Sequence, residues 1–143
     1  MIRFEKTHPG VPDPVRAHPT DAGMDLTAQI EDEAITIDAM ESALVGTGIK
    51  VAIPPGHVGL VVVRSSLGIK RRIGLANDVG IIDSDYRGEI KLALQNRSPG
   101  KQTINRGERV AQLIITPISL DPWQEAPLDT TERGTGGFGS TGD

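Results

Sequence analysis

Two stretches of the chain hold the side chains best suited to chemistry. Residues 80–89 read GIIDSDYRGE, an apolar run followed by two carboxylates, a tyrosine and an arginine. A carboxylate at the end of a buried strand, beside a ring and a glycine, can line a pocket and take a proton from water. The same residues also suit a polar hairpin turn, and composition leaves both readings open. Residues 133–143 read RGTGGFGSTGD. Glycine-rich tails are flexible and pack poorly, so a disordered terminus is one reading. The arginine, the phenylalanine and the Ser-Thr pair give another. Backbone N–H groups, hydroxyls, one guanidinium and one aromatic face make a set suited to phosphates and a flat ring.

Other candidates carry less. Residues 134–139 match G-x-G-x-x-G, but that fingerprint needs a strand before it and a helix after it. His8, His18 and His57 have no metal-ligand spacing and read as loop or surface residues. Ser65 and Ser66 have no histidine placed to suggest a triad. Without cysteine there is no disulfide, thiol nucleophile or thiolate metal site. The formal net charge is −4, and the longest basic run, Lys70-Arg71-Arg72, reads as a solvated turn. Both features argue against a general nucleic-acid binder. No apolar h-region opens the chain and no run approaches a membrane span. The expectation is a cytoplasmic protein without a membrane partner.

The elements that must position these residues are strands. Short runs of Val, Ile, Leu and Thr alternate with Gly, Pro, Asn and Asp. They predict strands over 2–6, 24–29, 34–38, 43–53, 57–63, 80–82, 89–96, 102–105 and 109–120, with one short helix within 66–72. Many short strands between turns indicate an all-β sandwich or barrel. Aromatic residues make up only 3% of the chain, so the core must be aliphatic. A second copy covering such a core is a reasonable expectation. The apolar pattern stops at Pro127, which divides the chain into a domain over 1–126 and a tail over 127–143.

Five segments, in order, resemble the motifs of the trimeric dUTPase family. They are AGMDLTA at 22–28, RSSLG at 64–68, GIIDSDYRGE at 80–89, RGERVAQL at 106–113 and RGTGGFGSTG at 133–142. Val63 departs from the proline that many relatives carry before the second motif. The resemblance implies a jelly-roll-like β-barrel of the dUTPase β-clip type, assembled as a homotrimer with shared sites. It implies Mg²⁺-dependent hydrolysis of dUTP to dUMP and pyrophosphate, which limits uracil in DNA and supplies dUMP for dTMP synthesis.

The resemblance also carries roles onto individual residues. Asp83 would orient and deprotonate the attacking water. An ordinary aspartate is ionised at neutral pH but is a weak base, so placement of the water and charge stabilisation would supply most of the rate. Arg64, Ser65, Ser66, Gln112 and Arg133 would hold phosphate oxygens, and Asp25 would reach Mg²⁺ through water. Asn77 would read the uracil edge, and Tyr86 would pack beneath deoxyribose and exclude a 2′-hydroxyl. Phe138 would stack on the base as the tail, with Gly139 and Ser140, closes over the site. Two alternatives share the scaffold. A dCTP deaminase would need a glutamate where Ala93 stands, and a dUTP-binding regulatory protein would not need the catalytic set intact.

Overall fold

The computed structural model describes residues 1–142. Asp143, the last residue of the expected tail, lies outside the described residues. Among the described residues eleven strands and a single helical turn are formed. The strands are β1 (Arg3–Lys6), β2 (Met24–Thr27), β3 (Ala34–Ile37), β4 (Ser42–Gly46), β5 (Ile49–Ala52) and β6 (His57–Val63). After the π-helical turn Ser66–Lys70 come β7 (Ile73–Leu75), β8 (Gly80–Ile82), β9 (Lys91–Asn96), β10 (Gln102–Asn105) and β11 (Arg109–Pro117). Among the described residues no helix is long and apolar enough to cross a membrane.

Pairing is antiparallel and falls into four sheets: β2-β11-β6-β8, β4-β9-β7, β1-β5 and β10-β3. The all-β expectation holds. Among the described residues, however, the ladders do not join into one closed ring, so a closed barrel is not what a single chain forms.

The predicted strand over 43–53 is two strands. Gly48 sits between them at φ +71°, where an added Cβ would fall 2.5 Å from Val11. Only glycine takes that conformation at little cost, and the chain changes sheets there. Buried Thr47 secures the corner by donating its hydroxyl to the Ile90 carbonyl at 2.7 Å. The strand predicted over 89–96 starts later, at Lys91, because the Ile90 N–H is turned to the Ile49 carbonyl. The last strand stops at Pro117, and the Ile118 N–H goes to Gly56. Strand β7 is absent from the sequence reading: three residues behind a basic run are too few to show a period of two.

The inner faces meet in one aliphatic core. Leu26, Val61 and Ala111 come from the four-stranded sheet, and Ile73, Leu92 and Leu94 from the three-stranded one. Each fully buried Ile or Leu contributes roughly 2–3 kcal/mol. Within this core Asn96 is fully buried and knits three segments together. Its amide donates to the carbonyls of Ile37 (2.9 Å), Asp38 (3.2 Å) and Gly100 (2.7 Å). Its Oδ1 accepts the Ser98 N–H and hydroxyl at 2.9 and 2.6 Å. Asn96→Leu is therefore expected to lower stability by about 3 kcal/mol or more, since several buried partners lose their bonds together. Urea unfolding measures this, and a loss below about 1 kcal/mol would show that water replaces the amide.

Candidate active site

The site begins with a bulge. Gln112 of β11 faces Asp25 of β2, but one step on the register shifts, so that Arg109 faces Thr27. Val110 is the extra residue, and it and Ala111 are both fully buried in succession. Side chains alternate along a strand, so three residues of regular strand would put Arg109 and Gln112 on opposite faces. The bulge restores Arg109 to the face that carries Asp25, Thr27 and Gln112. Arg109 Nη1 then donates to Asp25 Oδ2 at 3.2 Å. Arg64 arrives from the adjoining strand. Its N–H continues the ladder by donating to the Val110 carbonyl at 3.1 Å, and its Nε lies 3.4 Å from Asp25 Oδ1. Two guanidiniums thus flank one carboxylate whose side chain is only 11% exposed. Gln112 lies flat on Gly23, where a Cβ would fall 2.7 Å from its Oε1.

Ser65 and Ser66 lie where β6 passes into the helical turn. The carbonyl of Arg64 accepts the N–H groups of Leu67 and Gly68, and buried Leu67 anchors the turn to the core. Ser65 is exposed and its hydroxyl makes no capping bond. Arg71, at the far end, donates to the Glu108 carboxylate and the Thr103 carbonyl. Glu108 also accepts the Asn105 N–H at 3.0 Å. This brace ties the serine-bearing turn to the loop before the bulge. The run 70–72, read from sequence as a solvated turn, is thus partly structural.

A second group lies on the turn from β7 to β8, which joins two sheets, and on the turn after β8. Asn77 is exposed at the tip of the β7–β8 turn. Asp83 follows β8 directly, exposed, and its carbonyl accepts the Tyr86 N–H at 3.1 Å. The Tyr86 hydroxyl donates to the Glu89 carbonyl at 2.9 Å, which fixes the ring over the loop. Asp83 and Tyr86 share the wall of a cavity of about 190 Å³ with Ile81, Ile82, Glu89, Ile90 and Lys91.

The third group is the tail. Residues 118–142 form no strand or helix. Local turns shape residues 131–142: the N–H groups of Gly134, Gly136, Ser140 and Gly142 each bond a carbonyl three residues back. Arg133, Phe138, Gly139 and Ser140 are exposed. Among the described residues no hydrogen bond or ion pair links the three groups within one chain. Asp21 is held below the usual carboxylate range by the His18 backbone N–H at 2.8 Å, helped by the His18 ring and Arg16.

The dUTPase family model matches residues 10–142, so it spans all three groups. The chain belongs to the dUTPase family. A deoxyuridine 5′-triphosphate nucleotidohydrolase of Rhodococcus erythropolis is 43% identical, covering 99% of this chain and 85% of that protein. The dUTPase of Staphylococcus bacteriophage 80alpha with dUPNHPP superposes at a TM-score of 0.90 and 27% identity, covering 100% of this chain and 99% of that one. A dUTPase variant from phage phi11 of S. aureus, described with a structural Mg(II) ion, shares the fold at a TM-score of 0.81 and 24% identity. It covers 92% of this chain and 99% of its own.

Within this dUTPase-family chain the fold gathers Asp25, Arg64 and Gln112 and sets Ser65 and Ser66 beside them. It adds Arg109, to which the sequence reading assigned no role. The signal was its place in the fourth motif, but regular alternation points it to the wrong face. Among the described residues no three His, Cys, Asp or Glu side chains converge to hold a metal. Both Asp25 oxygens already face arginines, so the residues do not form a protein cage for a cation.

Proposed function

We propose that the chain hydrolyses dUTP to dUMP and pyrophosphate by attack of water on the α-phosphorus. The observation that carries this reading is the pair Arg64 and Arg109 held around Asp25, in a chain matched by the dUTPase model over residues 10–142. A triphosphate is strongly anionic, whereas the chain is acidic overall, so local cations must supply the attraction. Two guanidiniums against one carboxylate leave an excess positive charge and forked donors for phosphate oxygens. The Ser65 and Ser66 hydroxyls and the Gln112 amide would complete that binding.

Asp83 would accept the proton of the attacking water, at the wall it shares with Tyr86. Tyr86 would fill the space of a 2′-hydroxyl. Asn77, at the tip of the β7–β8 turn, would read uracil. A cytosine edge there would leave a buried polar group unpaired, at a cost on the order of 1–3 kcal/mol. Arg133, Phe138, Gly139 and Ser140 would close over phosphates and base, excluding water. Magnesium favours phosphate and water ligands over a protein cage, which suits the lack of converging carboxylates. Asp25 would hold such an ion only through water, and the ion would neutralise charge on the triphosphate.

A homotrimer with shared sites, closing the jelly-roll-like architecture, is part of the same proposal. It accounts for three functional groups that one chain leaves apart. Exposed apolar surface supports it. An open groove of about 600 Å³ is lined by Met1, Ile2, Phe4, Met24 and Ile115 among others, and Trp123 and Leu128 stand almost fully exposed. Such surface normally marks an interface. The cytoplasm, where nucleotide pools are held, is the proposed site of action.

The test supplies purified protein and Mg²⁺ with dUTP, dCTP, dTTP or UTP in parallel. The expected result is dUMP and pyrophosphate from dUTP alone, from a particle of three times 15.2 kDa by light scattering. Ammonia release from dCTP would place the chain with the deaminases. Binding of dUTP without turnover would make it a regulatory protein.

A further inference from the structure

We infer that Arg97 is a positioning residue for base selection, clamping the β7–β8 turn in the shape that lets Asn77 discriminate uracil from cytosine. The inference rests on the uracil-reading role proposed above for Asn77.

The β7–β8 connection turns sharply between two sheets. The Asp78 N–H donates to the Leu75 carbonyl at 3.0 Å and the Val79 N–H to the Asn77 carbonyl at 2.6 Å, two tight turns in succession. Asp78 holds φ at +60°, in the left-handed region that Asp enters more readily than most residues with a Cβ but still at some cost. The four residues of the tip, 76–79, are exposed, so core packing does not impose it.

The constraint comes from the neighbouring strand. Arg97 follows β9, and its own N–H is fixed on the Arg72 carbonyl at 2.9 Å. Its Nη2 donates to the Leu75 carbonyl and to Asp78 Oδ1, each at 2.7 Å, and its Nε to Gln95 Oε1 at 3.0 Å. The Leu75 carbonyl is also the acceptor that closes the turn, so one atom anchors both the turn and the fork. The guanidinium reaches this place because β7 carries Gly74, where a Cβ would fall 2.9 Å from the guanidinium carbon. A planar fork fixes two acceptors relative to each other, which a single ammonium does not. The side chains of Arg97 and Asp78 are 43% and 78% exposed, and exposed pairs add little to global stability. The consequence of the fork is therefore local: it fixes where the groups beside Asn77 point. Discrimination between donor and acceptor patterns needs such fixed partners, since a loosened turn reorients to satisfy the wrong base.

Arg97→Met keeps the aliphatic stem and removes the fork. The expected result is a rise in KM for dUTP of about tenfold and a fall in the dUTP-over-dCTP preference, in kcat/KM, of about tenfold. The dUTP kcat should stay within about twofold and the Tm within about 2 °C. Asp78→Asn keeps the Oδ1 acceptor and should retain the unsubstituted preference, whereas Asp78→Ala should lose part of it. Unchanged KM and preference in Arg97→Met, with the unsubstituted protein selective for dUTP, would overturn the inference alone. A joint loss of kcat and Tm would overturn it too, by making Arg97 a general stabiliser. An unsubstituted protein inactive on dUTP would overturn the underlying functional reading and this inference with it.

Discussion

Asp83→Asn is expected to lower kcat for dUTP by about a thousandfold, within the range that a positioned general base supplies, and to leave KM within a few-fold. The substitution is nearly isosteric. What holds this turn together is the Asp83 backbone carbonyl, which accepts the Tyr86 N–H, and the change leaves it in place. Asp83 is exposed at the end of β8 and contributes nothing to the core, so the Tm should hold. The amide can still bond the sugar or the water, but it cannot take a proton. Pyrophosphate release under saturating dUTP reads kcat directly. A loss below tenfold would move the base to another group.

A chain ending at Glu132 is expected to lose kcat by about a hundredfold or more, in line with the removal of charge-stabilising donors and water exclusion together. It should keep its Tm and its mass in solution. The tail's contacts explain the split. Among the described residues the Arg133 side chain donates only to the Gly136 carbonyl, at 3.0 Å, and Phe138 is fully exposed, so the core loses no packing. In the proposed closed state the same residues supply a guanidinium, a stacking ring and backbone donors. Phe138→Ala alone should mainly raise KM, because a base stack is binding energy that the reacting phosphorus does not feel. Undiminished turnover in the truncated chain would sink the closure model.

Much of this chain was legible before folding. The turns at Pro54-Pro55-Gly56 and Arg106-Gly107 mark themselves because turn chemistry is local. Every strand but β7 falls at a predicted run of apolar residues and threonine between turn residues, and the scarcity of rings announces the aliphatic core. The third and fifth motifs suggest water, phosphate and ring chemistry by their residue types, whereas the roles in the other three rest on the family resemblance.

What stayed hidden depends on residues that meet from afar. The break at Gly48 needs Val11 pressed against it, and β7 needs β9 beside it. The fully buried Asn96 looks in sequence like any asparagine at a strand end. Arg71 reads as part of a solvated turn and Arg97 carries no signal until their partners, Glu108 and the β7–β8 turn, come into view. Arg109 is the sharpest case. Its face is set by one extra residue in β11 relative to β2, and register is a property of two strands together. Sequence therefore determined which chemistry this chain carries and in what order along it. Tertiary structure decided which side chains share a face, because a hydrogen-bond ladder, unlike a turn or a local period, exists only once its partner strand is in place.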